Sequence, residues 1–188
     1  MFILDIETLS ADSHAVVLSA GIIHIEDNTR PSYDEMIANG LFVKFNSKDQ
    51  IDRLHRTVSK DTLAWWAKQH KSVRDISMKP TPDDLSPEDG MAMLMKYVSK
   101  YPRTNIVWTR GSLDQMVIDD LATQLDFNPI MEYNCYRDIR TAIDIFTGST
   151  NGYCDVGYPG FDRACVIKHH PVHDCALDGM QLLYGKAV

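Results

Sequence analysis

Residues 1–9 constrain the fold of this chain more than any other stretch. They place Asp5 and Glu7 in an apolar, β-branched run, which predicts a buried β-strand. Because side chains alternate along a strand, two carboxylates two positions apart point to the same face. Neighbouring acids on a buried face repel each other and resist desolvation, and a divalent cation removes that conflict. The pattern therefore indicates a cation site, with a frayed strand that leaves both acids in solvent as the alternative.

The overall composition is that of an ordinary globular protein. The chain has 188 residues, which predicts one domain over residues 1–188. No apolar run approaches the ~20 residues of a membrane span, and no basic segment precedes an apolar one at the N-terminus, so we expect a cytoplasmic protein without a membrane partner. The four cysteines form no C-x-x-C pair, which argues against a zinc ribbon and favours reduced thiols.

The charge is unevenly distributed along the chain. A net charge of −7 argues against a protein that coats nucleic acid. Residues 44–74 hold eight basic and three acidic residues, a net charge of +5, which leaves −12 for the remainder. A basic segment on an acidic body suits a protein that gathers a polyanion at one place, although a solvated polar helix explains the charge equally well.

Two further strands and a helix are predicted after the first strand. Apolar runs at residues 15–25 and 41–45, separated by turn formers, predict an antiparallel meander. Ser59 is the expected N-cap of a helix that runs to about His70. Its inward face is predicted to contain Leu63, Trp66, Ala67 and His70.

Two adjacent indoles lie on this helix. Trp65 is about 100° from Trp66 around the helix axis, so one of them is expected near the rim of the packed face. An exposed Trp beside basic residues can stack on a nucleobase. Burial of both in the core is the alternative.

The second half of the chain predicts helices around another strand. Ser86 and Pro87 have the N-cap and first-position chemistry of a helix start. Residues 105–109 are a predicted strand, and a helix follows from Leu113, so Asp114 falls at a strand-to-helix junction. Ligands bind at such junctions in open α/β sheets. A simple interaction of Asp114 with the helix dipole is the alternative. The order of elements predicts an α/β fold with a mixed sheet flanked by helices.

The last helix is predicted to start near Asp174. If His173 and Asp178 were both helical, they would lie about 140° apart and could not serve one site. If Asp174 is the N-cap, His173 lies in the preceding loop and can reach the side where Asp178 points. A capping region with an incidental His is the alternative.

Together these residues resemble the motifs of the DEDDh branch of the DnaQ-like (RNase T-like) 3′→5′ exonucleases. Asp5-Ile6-Glu7-Thr8 matches the first motif, Ser112-Leu113-Asp114 the second without the Asn or Phe often found before the Asp, and His173-x4-Asp178 the third. Residues 59–69 and 136–141 resemble a subgroup of phage exonucleases and bacterial exoribonuclease-like proteins.

The resemblance implies a fold, an activity and a set of roles. The fold is an RNase H-like mixed sheet, with three antiparallel N-terminal strands plus parallel strands. The activity is release of 5′-mononucleotides from the 3′ end of single-stranded DNA or RNA by a two-metal mechanism, and homodimers are expected. Four carboxylates would hold two divalent cations, Mg²⁺ or Mn²⁺, which prefer hard oxygen ligands. The metal ligands would be Asp5, Glu7, Asp114 and Asp178, the general base His173, and the substrate contacts Thr8, Leu9, Trp65 and Trp66.

Three other interpretations remain open. An oligoribonuclease-type enzyme would use the same site on short oligonucleotides. A catalytically inactive nucleic-acid-binding module predicts loss of at least one of the five site residues, and none is lost. A zinc site is the least favoured, since the resemblance already assigns His173; it would draw on Cys165, His169, His170, His173 or Cys175.

Overall fold

The computed structural model describes residues 1–186, and within them it has one five-stranded sheet and eight α-helices. The strands are β1 (Phe2–Thr8), β2 (Val17–His24), β3 (Leu41–Lys44), β4 (Val107–Thr109) and β5 (Tyr136–Asp138). The helices are α1 (Tyr33–Asn39), α2 (Ser47–Asp52), α3 (Lys60–Ala67), α4 (Lys71–Ser77), α5 (Pro87–Val98), α6 (Leu113–Gln124), α7 (Ile139–Thr147) and α8 (Pro171–Tyr184).

The sheet has the order β3-β2-β1-β4-β5. The pairs β1–β2 and β2–β3 are antiparallel, whereas β4 and β5 run parallel to β1. This mixed sheet of three antiparallel and two parallel strands, with helices around it, confirms the predicted RNase H-like architecture. The carboxyl ends of β1, β4 and β5 meet at one edge of the sheet, which is where parallel-strand folds bind ligands.

The two faces of β1 belong to different parts of the core. Leu4 and Ile6 are buried with residues of α5 and α6, while Ile3 is buried with residues of α8. Asp5 and Glu7 share the face of Ile3 by the two-residue period of a strand. The strand continues through Thr8, with Asp5 opposite Gly21 of β2, so the alternative of a frayed strand is wrong.

A glycine lets α8 approach the sheet beside these acids. A Cβ at Gly21 would lie 2.4 Å from the backbone carbon of Pro171, at the start of α8. No side chain fits in that space, so the missing Cβ allows the first turn of α8 to rest on the sheet next to Asp5.

Two short helices lie where only turns or loops were expected. Helix α1 separates β2 from β3 and begins with a capping box, in which Ser32 and Glu35 satisfy each other's backbone N–H groups. Helix α2 starts at the N-cap Asn46. The Ser-x-x-Glu spacing was a readable signal for α1, so the predicted meander is right in its strands and wrong in its connection.

Helix α3 starts at Ser59 as predicted but ends at Ala67, before His70. His70 instead caps α4 by accepting a hydrogen bond from the N–H of Ser72. The predicted inward face is right for Trp66, which is fully buried, and wrong for Leu63, Ala67 and His70, which are exposed. The helix packs through Trp66, which inserts into a small core.

The remaining elements follow the sequence more closely. Helix α5 has Ser86 as N-cap and Pro87 in its first turn, as predicted. Residues 136–138 form β5, and Asp138 then caps α7 by accepting a hydrogen bond from the Thr141 N–H at 2.6 Å. Among residues 1–186, no helix has the length and apolarity needed to cross a membrane.

Candidate active site

A pocket of about 300 Å³ opens at the carboxyl end of β1. Strand β1 supplies Asp5 and Glu7, and the other polar side chains come from the β4–α6 turn, the loop after α7, the loop before α8 and α8 itself. The lining residues are Asp5, Ile6, Glu7, Trp65, Arg110, Tyr153, His169, Asp174, Leu177 and Asp178.

The first turns of α8 present two carboxylates to this pocket. Asp174 and Asp178 are four residues apart on a helix that starts at Pro171, so they share one face. Asp174 lies with Glu7 and His169 in a group whose ligand atoms are all within 4.8 Å of one another. Two carboxylates and an imidazole this close together could hold a metal ion.

His169 comes from the loop just before α8. Its Nδ1 is 3.2 Å from Glu7 Oε1, and this hydrogen bond raises the pKa of His169. Its backbone φ of +59° is in the left-handed region, which a residue with a Cβ rarely adopts. The surrounding structure must therefore hold it there.

Asp114 lies in the first turn of α6, where the strand-to-helix junction was predicted. Its Oδ1 accepts a hydrogen bond from the backbone N–H of Ile6 at 3.3 Å, so its side chain reaches β1 between Asp5 and Glu7. Burial raises the pKa of Asp114 to about 7. The structure thus brings Asp114 to the two acids of β1.

The clustered acids resist ionisation. Burial is the largest cause of the raised pKa values: the pKa of Asp5 is raised well above its usual range and that of Asp174 to about 7. The charges of Asp114, Asp174, Glu7 and Asp178 all add to the shift at Asp5. In addition, Asp5 Oδ2 is buried and has no hydrogen-bond partner among the residues described.

This donor set fits a hard divalent cation. An unpartnered buried carboxylate oxygen among like charges is unfavourable by itself, and a cation would satisfy the oxygen and the charges together. The nearby donors are carboxylate oxygens with one imidazole, a set that suits Mg²⁺ or Mn²⁺. Glu7 and Asp174, with His169, form the group that could hold such an ion, and Asp5 and Asp114 are neighbouring acids.

Arg110 compensates the charge of Asp178. Its Nε donates to Asp178 Oδ1 at 3.0 Å and to Oδ2 at 3.2 Å, and Nη2 donates to Oδ1 and to Gln181 Oε1. Nη1 donates to the Gly152 carbonyl at 2.6 Å, and the guanidinium lies 4.3 Å from the centroid of the Tyr153 ring. Burial raises the pKa of Asp178, and the hydrogen bonds from Arg110 oppose that rise.

The structure does not bring His173 to this pocket. His173 is inside α8, whose N-cap is His170, and its Nδ1 is 2.7 Å from the Tyr33 hydroxyl. The expectation that Asp174 caps the helix and leaves His173 in a loop is therefore wrong. Because both His173 and Asp178 are helical, they lie about 140° apart, which is the arrangement that prevents them from serving one site.

The sequence contains the same five-residue spacing twice. His169 and Asp174 are separated by four residues, as are His173 and Asp178. Pro171 was the signal that decides between them, since proline favours the first position of a helix. A helix start at Pro171 leaves His169 in the loop and puts His173 inside the helix. Arg110 and Tyr153 had no comparable signal, because their roles depend on tertiary contacts.

Three of the four predicted substrate contacts, Thr8, Trp65 and Trp66, line a second pocket of about 450 Å³. It shares Ile6, Glu7 and Trp65 with the first pocket. Trp65 is 42% exposed at this rim, whereas Trp66 is buried and donates from Nε1 to the Thr8 carbonyl at 2.9 Å. Thr8 lines the pocket. Leu9 is buried in the core beside Trp66, so Trp65 is the indole that can meet a ligand.

Much of the basic segment is already paired within the protein. The Arg56 side chain is buried, donating to Asp120 at 2.9 Å and to the Ala15 carbonyl at 2.8 Å. Four other basic side chains of residues 44–74 pair with acids: Lys44, Lys48, Arg53 and Lys71. Lys60 and Lys68, exposed at the ends of α3, flank Trp65. Among the residues described, the basic side chains of this segment that form no ion pair are Lys60 and Lys68, at the two ends of α3, and Arg74 of α4.

The sheet order, with acids at the end of its central strand, is that of an RNase H-like α/β protein. The chain belongs to the family described as the 3′-5′ exoribonuclease Rv2179c-like domain, whose model matches residues 1–178. It is also 28% identical over 205 residues to a protein of Enterobacteria phage T4 named exodeoxyribonuclease, covering 98% of this chain and 88% of that relative. The predicted resemblance is confirmed, and the chain is a 3′→5′ exonuclease.

Proposed function

We propose that this pocket is the catalytic site of a divalent-cation-dependent exonuclease that releases 5′-mononucleotides from the 3′ ends of single-stranded DNA or RNA. The observation that carries the proposal is the buried, unpartnered Asp5 Oδ2 at the centre of a cluster of acids with raised pKa values. A folded protein keeps such an arrangement where a bound ligand compensates it.

Four acids are proposed as the cation ligands: Asp5, Glu7, Asp114 and Asp174. Two ions, each Mg²⁺ or Mn²⁺, would supply charge stabilisation for the attacking and leaving oxygens of the phosphodiester. Asp178 is not included, because Arg110 already occupies both of its carboxylate oxygens. This assignment replaces the Asp178 of the sequence motif with Asp174.

His169 is proposed as the general base. A neutral imidazole that donates its Nδ1 proton to Glu7 presents Nε2 as an acceptor, and Nε2 can take the proton of the attacking water. The hydrogen bond to Glu7 fixes the tautomer and the orientation of the ring. His173, by contrast, is engaged with Tyr33 and is proposed only to support the start of α8.

Trp65 is proposed to stack on a nucleobase near the 3′ end. It is the exposed indole at the boundary of the two pockets, and stacking on an aromatic ring does not depend on base identity. Thr8 lines the same pocket. Lys60 and Lys68, at the two ends of α3, are placed to meet the phosphate backbone.

The test is digestion of 5′-labelled single-stranded DNA and RNA of matched sequence, with Mg²⁺, Mn²⁺ or EDTA. The expected result is a ladder that shortens from the 3′ end in either metal and stops in EDTA. Asp5→Asn is expected to abolish the ladder, while Asp126→Asn, a change at an exposed loop position, serves as the matched control. Internal cleavage, or activity that survives EDTA, would contradict the proposal.

A further inference from the structure

The last residue of α4 reaches across the fold to the proposed general base. Ser77 is 1% exposed, and its Oγ donates a hydrogen bond of 3.0 Å to the backbone carbonyl of His169. The two residues are 92 positions apart in the chain. This buried hydrogen bond can therefore fix the backbone conformation of His169.

His169 needs such a contact because its backbone is strained. A φ of +59° brings the Cβ of a residue close to its own carbonyl oxygen, which makes this conformation unfavourable relative to the usual helical region. A conformation of this kind persists only when neighbouring groups determine it. The hydrogen bond from Ser77 fixes the carbonyl of the strained residue itself.

The same segment also contacts the imidazole ring. The Trp65 and His169 rings meet edge to face, with centroids 4.9 Å apart and an interplanar angle of 86°. The Trp66 ring lies 5.9 Å away at 71°. Residues 65–77 therefore hold His169 at both ends, the two indoles against its ring and Ser77 at its carbonyl.

We propose that Ser77 is a positioning residue for the proposed general base, holding His169 in its left-handed conformation with its ring against Glu7. This inference rests on the function proposed above for His169. The inference also links substrate binding to catalysis, because residues 65–77 both carry Trp65, the proposed stacking residue, and hold His169. A nucleic-acid strand that stacks on Trp65 therefore contacts the same segment that positions the general base.

A purely structural role for Ser77 predicts a different pattern. In that case, removing the hydroxyl would lower the stability of the protein and leave the His169 ring where it is. A positioning role predicts a changed His169 environment and a lower kcat, with KM nearly unchanged.

The test compares Ser77→Ala with Ser77→Cys, which fills the place of the hydroxyl with a slightly larger thiol that is a weak donor. Ser47→Ala, at a half-buried serine in the first turn of α2, is the matched control. Four quantities are measured: kcat and KM on a labelled single strand, Tm, and the histidine ring signals in ¹H–¹³C NMR spectra of the metal-free protein.

We expect both Ser77 variants to lower kcat about tenfold, because a small misplacement of a catalytic group has effects of this size. KM should change by less than about twofold. The His169 ring signals should shift or broaden in both variants, while those of His24, at the far end of the sheet, stay in place. Ser47→Ala should match the wild type in every measurement.

Unchanged His169 signals, or a lower Tm with an unaltered kcat, would overturn the inference. A His169→Ala variant separates this failure from failure of the proposed function. If His169→Ala keeps wild-type kcat, the assignment of the base is wrong, and the NMR comparison still decides whether Ser77 holds the ring.

Discussion

Arg110 binds both carboxylate oxygens of Asp178 through Nε, at 3.0 and 3.2 Å. Asp174, one turn earlier on the same face of α8, instead meets Glu7 and His169. Two acids of one helix therefore have different partners. Asp178 links α8 to the turn between β4 and α6, which precedes Asp114, and Asp174 is the acid proposed as a cation ligand.

The two acids of α8 should respond in opposite ways to neutralisation. Asp178→Asn leaves a buried guanidinium without its partner, and loss of one member of a buried ion pair costs about 3 kcal/mol or more. Asp174→Asn removes a repelling charge, so we expect an unchanged or higher Tm in the metal-free protein but a loss of activity of about 100-fold. Thermal unfolding in EDTA at pH 8, beside kcat in Mn²⁺, measures both effects. A lower Tm for Asp174→Asn than for Asp178→Asn would contradict this division.

The metal-free protein should become less stable as the pH rises through 7. Asp114 and Asp174 have folded pKa values of about 7, above the ~4 of an unfolded aspartate, so the folded state binds more protons between these limits. Their stabilising contribution is therefore complete below about pH 4 and is lost towards pH 8. In EDTA, we expect Tm to be several degrees higher at pH 5.5 than at pH 8. Asp114→Asn should reduce this difference, and a wild-type Tm that rises with pH in EDTA would count against the account.

Mn²⁺ should reverse that trend. The cation compensates the ionised acids, so its addition should raise Tm more at pH 8 than at pH 5.5. Differential scanning fluorimetry of the wild type and Asp5→Asn at the two pH values measures the effect. Asp5→Asn should have a higher Tm than the wild type in EDTA and a smaller response to Mn²⁺. Equal responses of the two proteins would show that Asp5 does not hold the ion.

The two histidines of the repeated spacing should differ in function. His169→Ala is expected to lower kcat at least 100-fold with little change in Tm, because the proton acceptor is lost. His173→Ala removes the contact with Tyr33 and should lower Tm while kcat falls by less than about fivefold. Steady-state kinetics on a labelled strand distinguish the two. A His173→Ala variant that is folded and inactive would restore the original sequence assignment.

Substitutions of Trp65 and Trp66 should affect different properties, substrate binding for Trp65 and stability for Trp66. Trp65→Ala should raise KM about tenfold or more through lost stacking, and Trp65→Phe, which keeps an aromatic face, should recover most of the affinity. Trp66→Ala should instead destabilise the fold by about 3–5 kcal/mol, because Trp66 is fully buried. The readouts are KM and urea unfolding. A Trp65→Ala variant with wild-type KM would remove this residue from the substrate site.

Residues whose surroundings are local could be predicted from the sequence. The alternation in β1 placed Asp5 and Glu7 on one face, and the caps at Ser59 and Ser86 marked real helix starts. Asp114 followed from a strand, a turn and a helix read in order.

Residues defined by tertiary packing could not be predicted in the same way. The apolar pattern of α3 suggested a broad buried face, but the helix lies on the surface and buries Trp66. The Arg110–Asp178 pair joins residues 68 positions apart, and no local sequence pattern predicts it. The third motif proposed from the structure begins four residues before the predicted one, since both His-x4-Asp spacings are present and only the position of Pro171 separates them.

Anomalous scattering from a crystal grown or soaked with Mn²⁺ tests whether a cation binds among Asp5, Glu7, Asp114 and Asp174. Anomalous density is expected in contact with Asp5 Oδ2 and bound also by Glu7 or Asp174, with Asp178 still paired to Arg110. Density that is absent from this pocket, or that is bound by Asp178 after its release from Arg110, would contradict this proposal.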